Sequence, residues 1–176
     1  MIFFTSDHHF GHSKVIEYSR RPFKDVIHMR EEMIRRWNSV VQERDEVYHL
    51  GDMFLGRQDD ARAIRDRLNG KIYFIKGNHD KLRGIEHFFE WTKDMHYLRY
   101  EGRRIVLCHY ALRTWQNSNH GSWHLHGHSH GNLPPLGYSM DVGVDAWDYY
   151  PVSFAVVERE MLKRGPGLEI DHHKES

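Results

Sequence analysis

The chain has 176 residues, with 25 Lys and Arg against 25 Asp and Glu. That balance leaves no overall positive field to hold long nucleic acid, and a chain of this length buries roughly 70% of its unfolded surface, enough for one core without disulfides. A single cysteine, Cys108, excludes an internal disulfide and suits a reducing compartment. Only a short apolar run precedes Thr5, too little for a signal peptide or a membrane span, so the expectation is a soluble, cytoplasmic protein with no membrane partner. The unusual quantity is 16 histidines, the commonest metal-ligating side chain and one that titrates near neutrality.

From the N-terminus, residues 1–5 are mostly apolar and predict a short strand buried on both faces. It runs into Ser6-Asp7-His8-His9-Phe10-Gly11-His12. With strand conformation carried through, Asp7 and His9 point the same way and can share one divalent ion. Residues 25–41 carry Val26, Met29, Met33, Trp37 and Val40 at three- and four-residue spacing behind Pro22, an amphipathic helix that belongs to the core. A second short strand over 46–50 ends in Gly51-Asp52. Residues 58–68 read as a helix, with Asp59 and Asp60 in its first turn and Asn69-Gly70 closing it.

The run Ile72-Tyr73-Phe74-Ile75 then reads as a buried strand that stops at Gly77 and delivers Asn78, His79 and Asp80 without a gap. These supply a neutral carbonyl oxygen, an imidazole, and a carboxylate that could orient it. The order strand-helix-strand-helix-strand is the pattern of a largely parallel sheet with helices outside, and chemistry in such sheets gathers at strand ends.

Beyond Asp80 the expectation is a short helix with Ile85, Phe88 and Phe89, then strands over 95–100 and 103–108 around a Glu101-Gly102 hairpin turn. The second strand places His109 at its end, with Cys108 as a packed thiol. Residues 113–122 form a loop near the site, and a brief strand over 123–126 ends in Gly127-His128-Ser129-His130. Residues 138–144 suggest another strand, and 153–163 a helix with Phe154, Val157 and Met161 inward, although Val152, Phe154 and Val156 also alternate as a strand would. Residues 1–164 make one domain, followed by a frayed tail over 165–176.

Five strand ends thus carry ligand-type residues: Asp7 and His9, Asp52, Asn78 and His79, His109, and His128 and His130. Glycines 51, 77 and 127 precede three of them and let the backbone turn tightly. Asp7-His8-His9, Gly51-Asp52, Gly77-Asn78-His79-Asp80, His109 and Gly127-His128-Ser129-His130 together resemble the ordered blocks of the calcineurin-like metallophosphoesterase superfamily. The wording around the first two is similar to the small stand-alone bacterial and phage members. The resemblance spans Asp7 to His130 and lacks no block.

That resemblance implies an α/β fold of four layers, α/β/β/α, in which two central mixed sheets pack face to face with helices outside. It implies two metal ions, with Asp7, His9 and His130 holding one, Asn78, His109 and His128 the other, and Asp52 bridging both through its two oxygens. His79 then stands over the substrate phosphate as general acid or orienter, with Asp80 holding its imidazole. Two ions roughly 3.5–4 Å apart stabilise the attacking and leaving oxygens of an in-line displacement, and one zinc lowers a water's pKa from about 15.7 to about 7. Nitrogen and oxygen ligands without thiolate admit Mn, Fe, Zn, Co or Ni.

Of the other histidines, His12 is expected near the substrate together with Arg113, His8 and His49 are structural, and His120, His124 and His126 lie on or near the approach to Gly127. The expected reaction is hydrolysis of a small phosphodiester, a cyclic nucleotide or short nucleic acid. A phosphomonoesterase with the same core is the alternative, and a metal-free protein-binding scaffold is a third reading that the intact ligand set disfavours. Monomer and dimer both stay open.

Overall fold

The structure, a computed structural model, describes residues 1–81 and 84–166. In chain order the elements are β1 (Ile2–Thr5), α1 (Lys14–Tyr18), α2 (Val26–Val40), β2 (Glu46–His49), α3 (Gln58–Arg65), β3 (Lys71–Ile75), β4 (Trp91–Lys93), β5 (Met95–Tyr100), β6 (Arg103–Cys108), β7 (Trp123–His126), β8 (Ser139–Asp141), β9 (Val152–Ser153) and α4 (Phe154–Leu162). Short 3-10 turns lie at Glu86–Phe88, Ser118–His120 and Val144–Ala146.

Two sheets result. The first has the order β4-β3-β2-β1-β9, with β1 to β4 parallel and β9 antiparallel to β1. The second has the order β5-β6-β7-β8, with an antiparallel hairpin at β5–β6 and parallel pairs after it. The hairpin turn falls at Glu101-Gly102, both at positive φ, whose twist matches that of the flanking strands.

Alternation along β1 shows how the layers are joined. Phe3 faces a core shared with Met29, Met33 and Trp37 of α2 and Ile64 of α3, so these helices cover the outer face of the first sheet. Ile2 and Phe4 face the other way, into a core with Leu50, Ile75, Ile105, Leu107, Trp123 and Leu125 that lies between the sheets. The sheets therefore pack face to face, and α4 adds Phe154, Val157 and Met161 to the core between them. Asp25 starts α2 by accepting the backbone N–H groups of Ile27 at 2.9 Å and His28 at 2.8 Å, as an N-cap carboxylate should.

Several expectations are adjusted. α1 and β4 have too few residues to show a period, and neither was expected. Over 152–163 the helix reading holds from Phe154 onward and the strand alternative only at Val152–Ser153, because Ser153 ends β9 and its hydroxyl caps α4 at Val156. The strand expected over 138–144 is limited to β8. Of the tail, Gly165 and Pro166 are exposed coil, and 167–176 lie outside the described residues. Among the described residues no helix is long and apolar enough to cross a membrane.

Candidate metal centre

The carboxyl ends of β1, β2, β3, β6 and β7 lie along one edge of the molecule, where the loops after them interlock. Asp7 N–H donates to the Gly51 carbonyl at 3.0 Å, His9 N–H to Asp52 at 2.9 Å and Phe10 N–H to Met53 at 2.9 Å. Ser6 bridges to Gly143 beyond β8, joining the two sheets at the same edge. Gly51 sits at φ +98°, and a Cβ there would meet Gly77 N and His109 Nδ1 at 2.6 Å. At Gly77 and Gly127 φ is not positive and the constraint is space instead, since a Cβ would run into the carboxylate of Asp52 or the Ser6 hydroxyl and Asp7 carboxylate.

All seven expected metal ligands converge in two groups. Asp7, His9 and His130 each offer an atom within 4.8 Å of the others, and so do Asp52, His109 and His128. Asn78 joins the second group, its Oδ1 lying 3.1 Å from His109 Nε2. Asp52 Oδ2 lies between the groups, 3.6 Å from His9 Nε2 and 3.5 Å from His109 Nε2. Asp52 Oδ1 is committed elsewhere, accepting the His79 backbone N–H at 2.9 Å. One oxygen, and not two as expected, therefore faces both groups.

The convergence of Asp7 and His9 has a different cause from the expected strand alternation. β1 ends at Thr5, and Asp7 and His9 adopt φ of 59° and 51°. Asp52, His128 and His130 are also left-handed, at 56°, 67° and 48°. Such backbone costs on the order of 1–3 kcal/mol per non-glycine residue and persists only where its surroundings over-determine it. Five of seven ligand positions are held this way, which directs neighbouring side chains to one point that a regular strand would send apart.

The donor chemistry fits a cation. His109 Nδ1 stands 2.7 Å from the Leu50 carbonyl, which only an N–H can satisfy, so a neutral ring has its lone pair on Nε2, facing Asn78 and Asp52. His130 Nδ1 likewise faces Asp145 Oδ2 at 2.7 Å, freeing Nε2. Asp7 Oδ2 accepts from Ser6 Oγ at 2.6 Å and the His128 N–H at 2.9 Å, whereas its Oδ1 is buried with no partner and stands 3.9 Å from His9 Nε2. Ligands about 2.1 Å from one tetrahedral or octahedral ion stand about 3.0–3.4 Å apart, close to these separations.

The titration behaviour agrees. Burial pushes the Asp7 carboxyl up to about 6 and the His9 imidazole down to about 3. Burial also opposes the charge on Asp52, but the neighbouring His109 ring, when protonated, and the His79 N–H together hold it down at about 2. At His109 and His130 burial opposes the charged ring but is outweighed by the carboxylates of Asp52, Asp7 and Asp145, which raise both imidazoles, so the negative charge gathered here favours a cation.

The residues around this set behave less uniformly. Asp80 was expected to hold the His79 ring. Its carboxylate instead accepts backbone N–H groups from Asp52 and Gly77 at 2.7 Å each and from Met53 at 3.1 Å, so it clamps two site loops together. The reason is depth: Asp80 turns inward while His79 is exposed at the rim. The His79 ring lies 5.4 Å from that of His9 and 6.3 Å from that of His12. His12 is half-buried, 5.6 Å from His9, and its Nδ1 is buried without a partner. Arg113 is exposed and, among the described residues, forms no hydrogen bond to the cluster.

His8 and His49 pair in the core, Nδ1 to Nε2 at 2.9 Å. His124 is fully buried, its Nδ1 facing the Val106 carbonyl at 3.0 Å and its Nε2 accepting the Leu112 N–H at 3.0 Å, so it pins the loop after His109.

Two residues of the site were missed. Asp145 accepts His130 Nδ1 through Oδ2, and both its oxygens accept from Arg21, at 2.8 Å from Nε and 2.7 Å from Nη2. Arg21 is 4% exposed and also donates to the carbonyls of Asp7 at 2.6 Å and His8 at 3.0 Å. Asp145 follows a strand and a glycine, so the strand-end rule applied once more would have found it. For Arg21 the sequence carries no such signal.

A two-sheet α/β sandwich that gathers two Asp/His groups around one shared carboxylate at its strand ends defines a class, the metal-dependent phosphoesterases. Within it the chain belongs to the calcineurin-like phosphoesterase superfamily, whose domain it matches over residues 2–134. An uncharacterized protein of Methanocaldococcus jannaschii is 34% identical over 173 residues, 93% of this chain and 92% of its own. The Gene 66 protein of Mycobacterium phage L5 is 28% identical over 180 residues, 82% of this chain and 86% of its own. The crystal structure of a protein of unknown function from Aquifex aeolicus superposes with a TM-score of 0.72 at 25% identity, over 93% of this chain and 98% of that one.

Proposed function

We propose that the protein is a dinuclear metal-dependent phosphodiesterase acting on small diesters such as cyclic nucleotides or short oligonucleotides. The observation that carries this reading is Asp52 Oδ2, within 3.6 Å of His9 Nε2 and 3.5 Å of His109 Nε2, which ties two ligand groups into one centre. Asp7, His9 and His130 would hold one ion and Asn78, His109 and His128 the other, manganese being our first candidate. Such ions supply Lewis acidity toward a phosphoryl oxygen and lower the pKa of water they bind.

The chain's own residues do the rest. Asp145 and Arg21 fix the His130 ring, Leu50 fixes that of His109, and Asp80 holds the loops bearing Asp52 and Asn78 in register. His79, exposed beside the cluster, donates a proton to the leaving oxygen as the bond from phosphorus to that oxygen breaks. A water oxygen bonds to phosphorus from the opposite side, and the proton it gives up passes to solvent, so one water is consumed per bond cleaved. Proton donation of this kind contributes about 10²–10⁴-fold.

Diester preference follows from the cations. Arg21, which bonds to the backbone of the ligand loop, is buried and committed to Asp145 and two carbonyls. A diester carries one negative charge, and a monoester near neutral pH close to two, its second pKa being about 6. With that guanidinium committed, the ligand cluster itself favours the former. The unpaired, buried Cys108 supports a reducing, cytoplasmic setting.

The test compares bis-p-nitrophenyl phosphate, 2′,3′-cyclic nucleotides and p-nitrophenyl phosphate with Mn²⁺. A higher kcat/KM for a diester is expected. A monoester that outruns every diester makes the protein a phosphomonoesterase.

A further inference from the structure

Next to the metal centre lies a cavity of about 280 Å³ that no step above uses. His79 and Asp80 are among its lining residues, so it adjoins the rim of the ligand cluster. Its floor is apolar, with Phe54, Ala61 and Ile85 all 9% exposed or less. Gln58 closes the far side, its Nε2 donating to the Gly84 carbonyl at 2.6 Å.

Arg57 and Lys81 also line the cavity, and both are exposed. Among the described residues neither side chain forms an ion pair or hydrogen bond. The one carboxylate in the lining, Asp80, is turned away to the backbone N–H groups of Asp52, Met53 and Gly77. The cavity therefore combines an apolar floor, two exposed cations with no partner among the described residues, and the His79 imidazole at its edge.

We infer that this cavity receives the leaving group of the substrate and selects a nucleoside bearing a second phosphate. This rests on the phosphodiesterase reading, because the group attached to the leaving oxygen must lie beside His79 if His79 protonates that oxygen. Sugar and base lie on the floor against Phe54, and the second phosphate meets Arg57 and Lys81. Sites for whole drug-sized ligands run roughly 300–1,000 Å³, so this volume suits one nucleotide unit and not an extended strand. The substrate class is a dinucleotide or short oligonucleotide end with a terminal phosphate.

The experiment uses the full chain with Mn²⁺ and three dinucleotides, dTpdT, pdTpdT and dTpdTp. At least one terminally phosphorylated form should show a tenfold or greater gain in kcat/KM over dTpdT, mainly through KM. In Arg57→Gln/Lys81→Gln, whose altered side chains are both exposed, that ratio should fall to about one. Equal kcat/KM for all three in the wild type overturns the inference while leaving the phosphodiesterase reading intact, and so does a ratio that survives the double substitution. Should only monoesters be cleaved, the phosphodiesterase reading fails instead, and calorimetry with thymidine 3′,5′-bisphosphate decides the cavity. A tenfold weaker Kd in the double variant then supports the cavity, and an unchanged Kd overturns it.

Discussion

Asp145→Asn tests the part of the centre that sequence reasoning missed. In the folded protein the Asp145 carboxylate neutralises Arg21, whose side chain is 0% exposed, through bonds of 2.8 and 2.7 Å, and accepts the His130 Nδ1 proton at 2.7 Å. Asparagine keeps the shape, removes the charge, and leaves one oxygen where three donors need two. Removing one partner of a buried ion pair typically costs about 3–5 kcal/mol, because the remaining charge is left uncompensated. The lower end, about 3 kcal/mol, applies here, since one oxygen still accepts and the Asp7 and His8 carbonyls still hold Arg21.

At roughly 2–4 °C per kcal/mol for a domain of this size, Tm of the metal-free protein should fall by about 6–12 °C. A second effect is separable from the first. A histidine ligand that loses the acceptor fixing its tautomer typically costs 10–100-fold in metal affinity. Differential scanning calorimetry in chelator measures the first and Mn²⁺ titration of the folded variant the second. Metal affinity within twofold of wild type would refute the idea that Asp145 orients His130, and an unchanged Tm would refute the ion-pair argument.

Asp52→Asn should leave the domain folded but lose most bound metal and nearly all turnover; full metal content by elemental analysis with normal activity would end its bridging role. His79→Asn should keep both metals and lose on the order of 10²-fold or more in kcat, whereas loss of a metal would make His79 a ligand. Burial lowers the His124 pKa to about 4 from 6.5, so unfolded chains bind a proton there that the folded protein refuses. Stability from this group is complete above pH 6.5 and declines as pH falls toward 4, by about 3 kcal/mol in all. His124→Gln should remove close to one proton from the uptake on unfolding across that window, as urea titrations in chelator would report, and an unchanged pH slope would contradict the assignment.

The sequence by itself determined the strands that carry the site and the residue types at their ends. Both are written locally: Ile72 to Ile75 is an unbroken apolar run of strand length, and Gly77-Asn78-His79-Asp80 follows it almost directly in the chain. The same holds for Gly51-Asp52 and for Gly127 to His130, so all seven residues that converge on the cluster were legible before any contact was known. Their orientation was not. Asp7 and His9 share a face because both are left-handed, which their neighbours in space impose through the Gly51 and Asp52 carbonyls.

Asp80 reads in sequence as the partner of the residue before it, yet its acceptors are filled by N–H groups of a loop 27 and 28 residues away as well as by Gly77. Arg21 and Asp145 are 124 residues apart and meet only because the loop after β8 docks on the loop after β1, onto whose carbonyls Arg21 folds back from beyond α1. A buried charge pair has no period and no spacing. It is favourable only once the surrounding fold excludes water and brings both partners together, and for that reason the tertiary structure alone decided it.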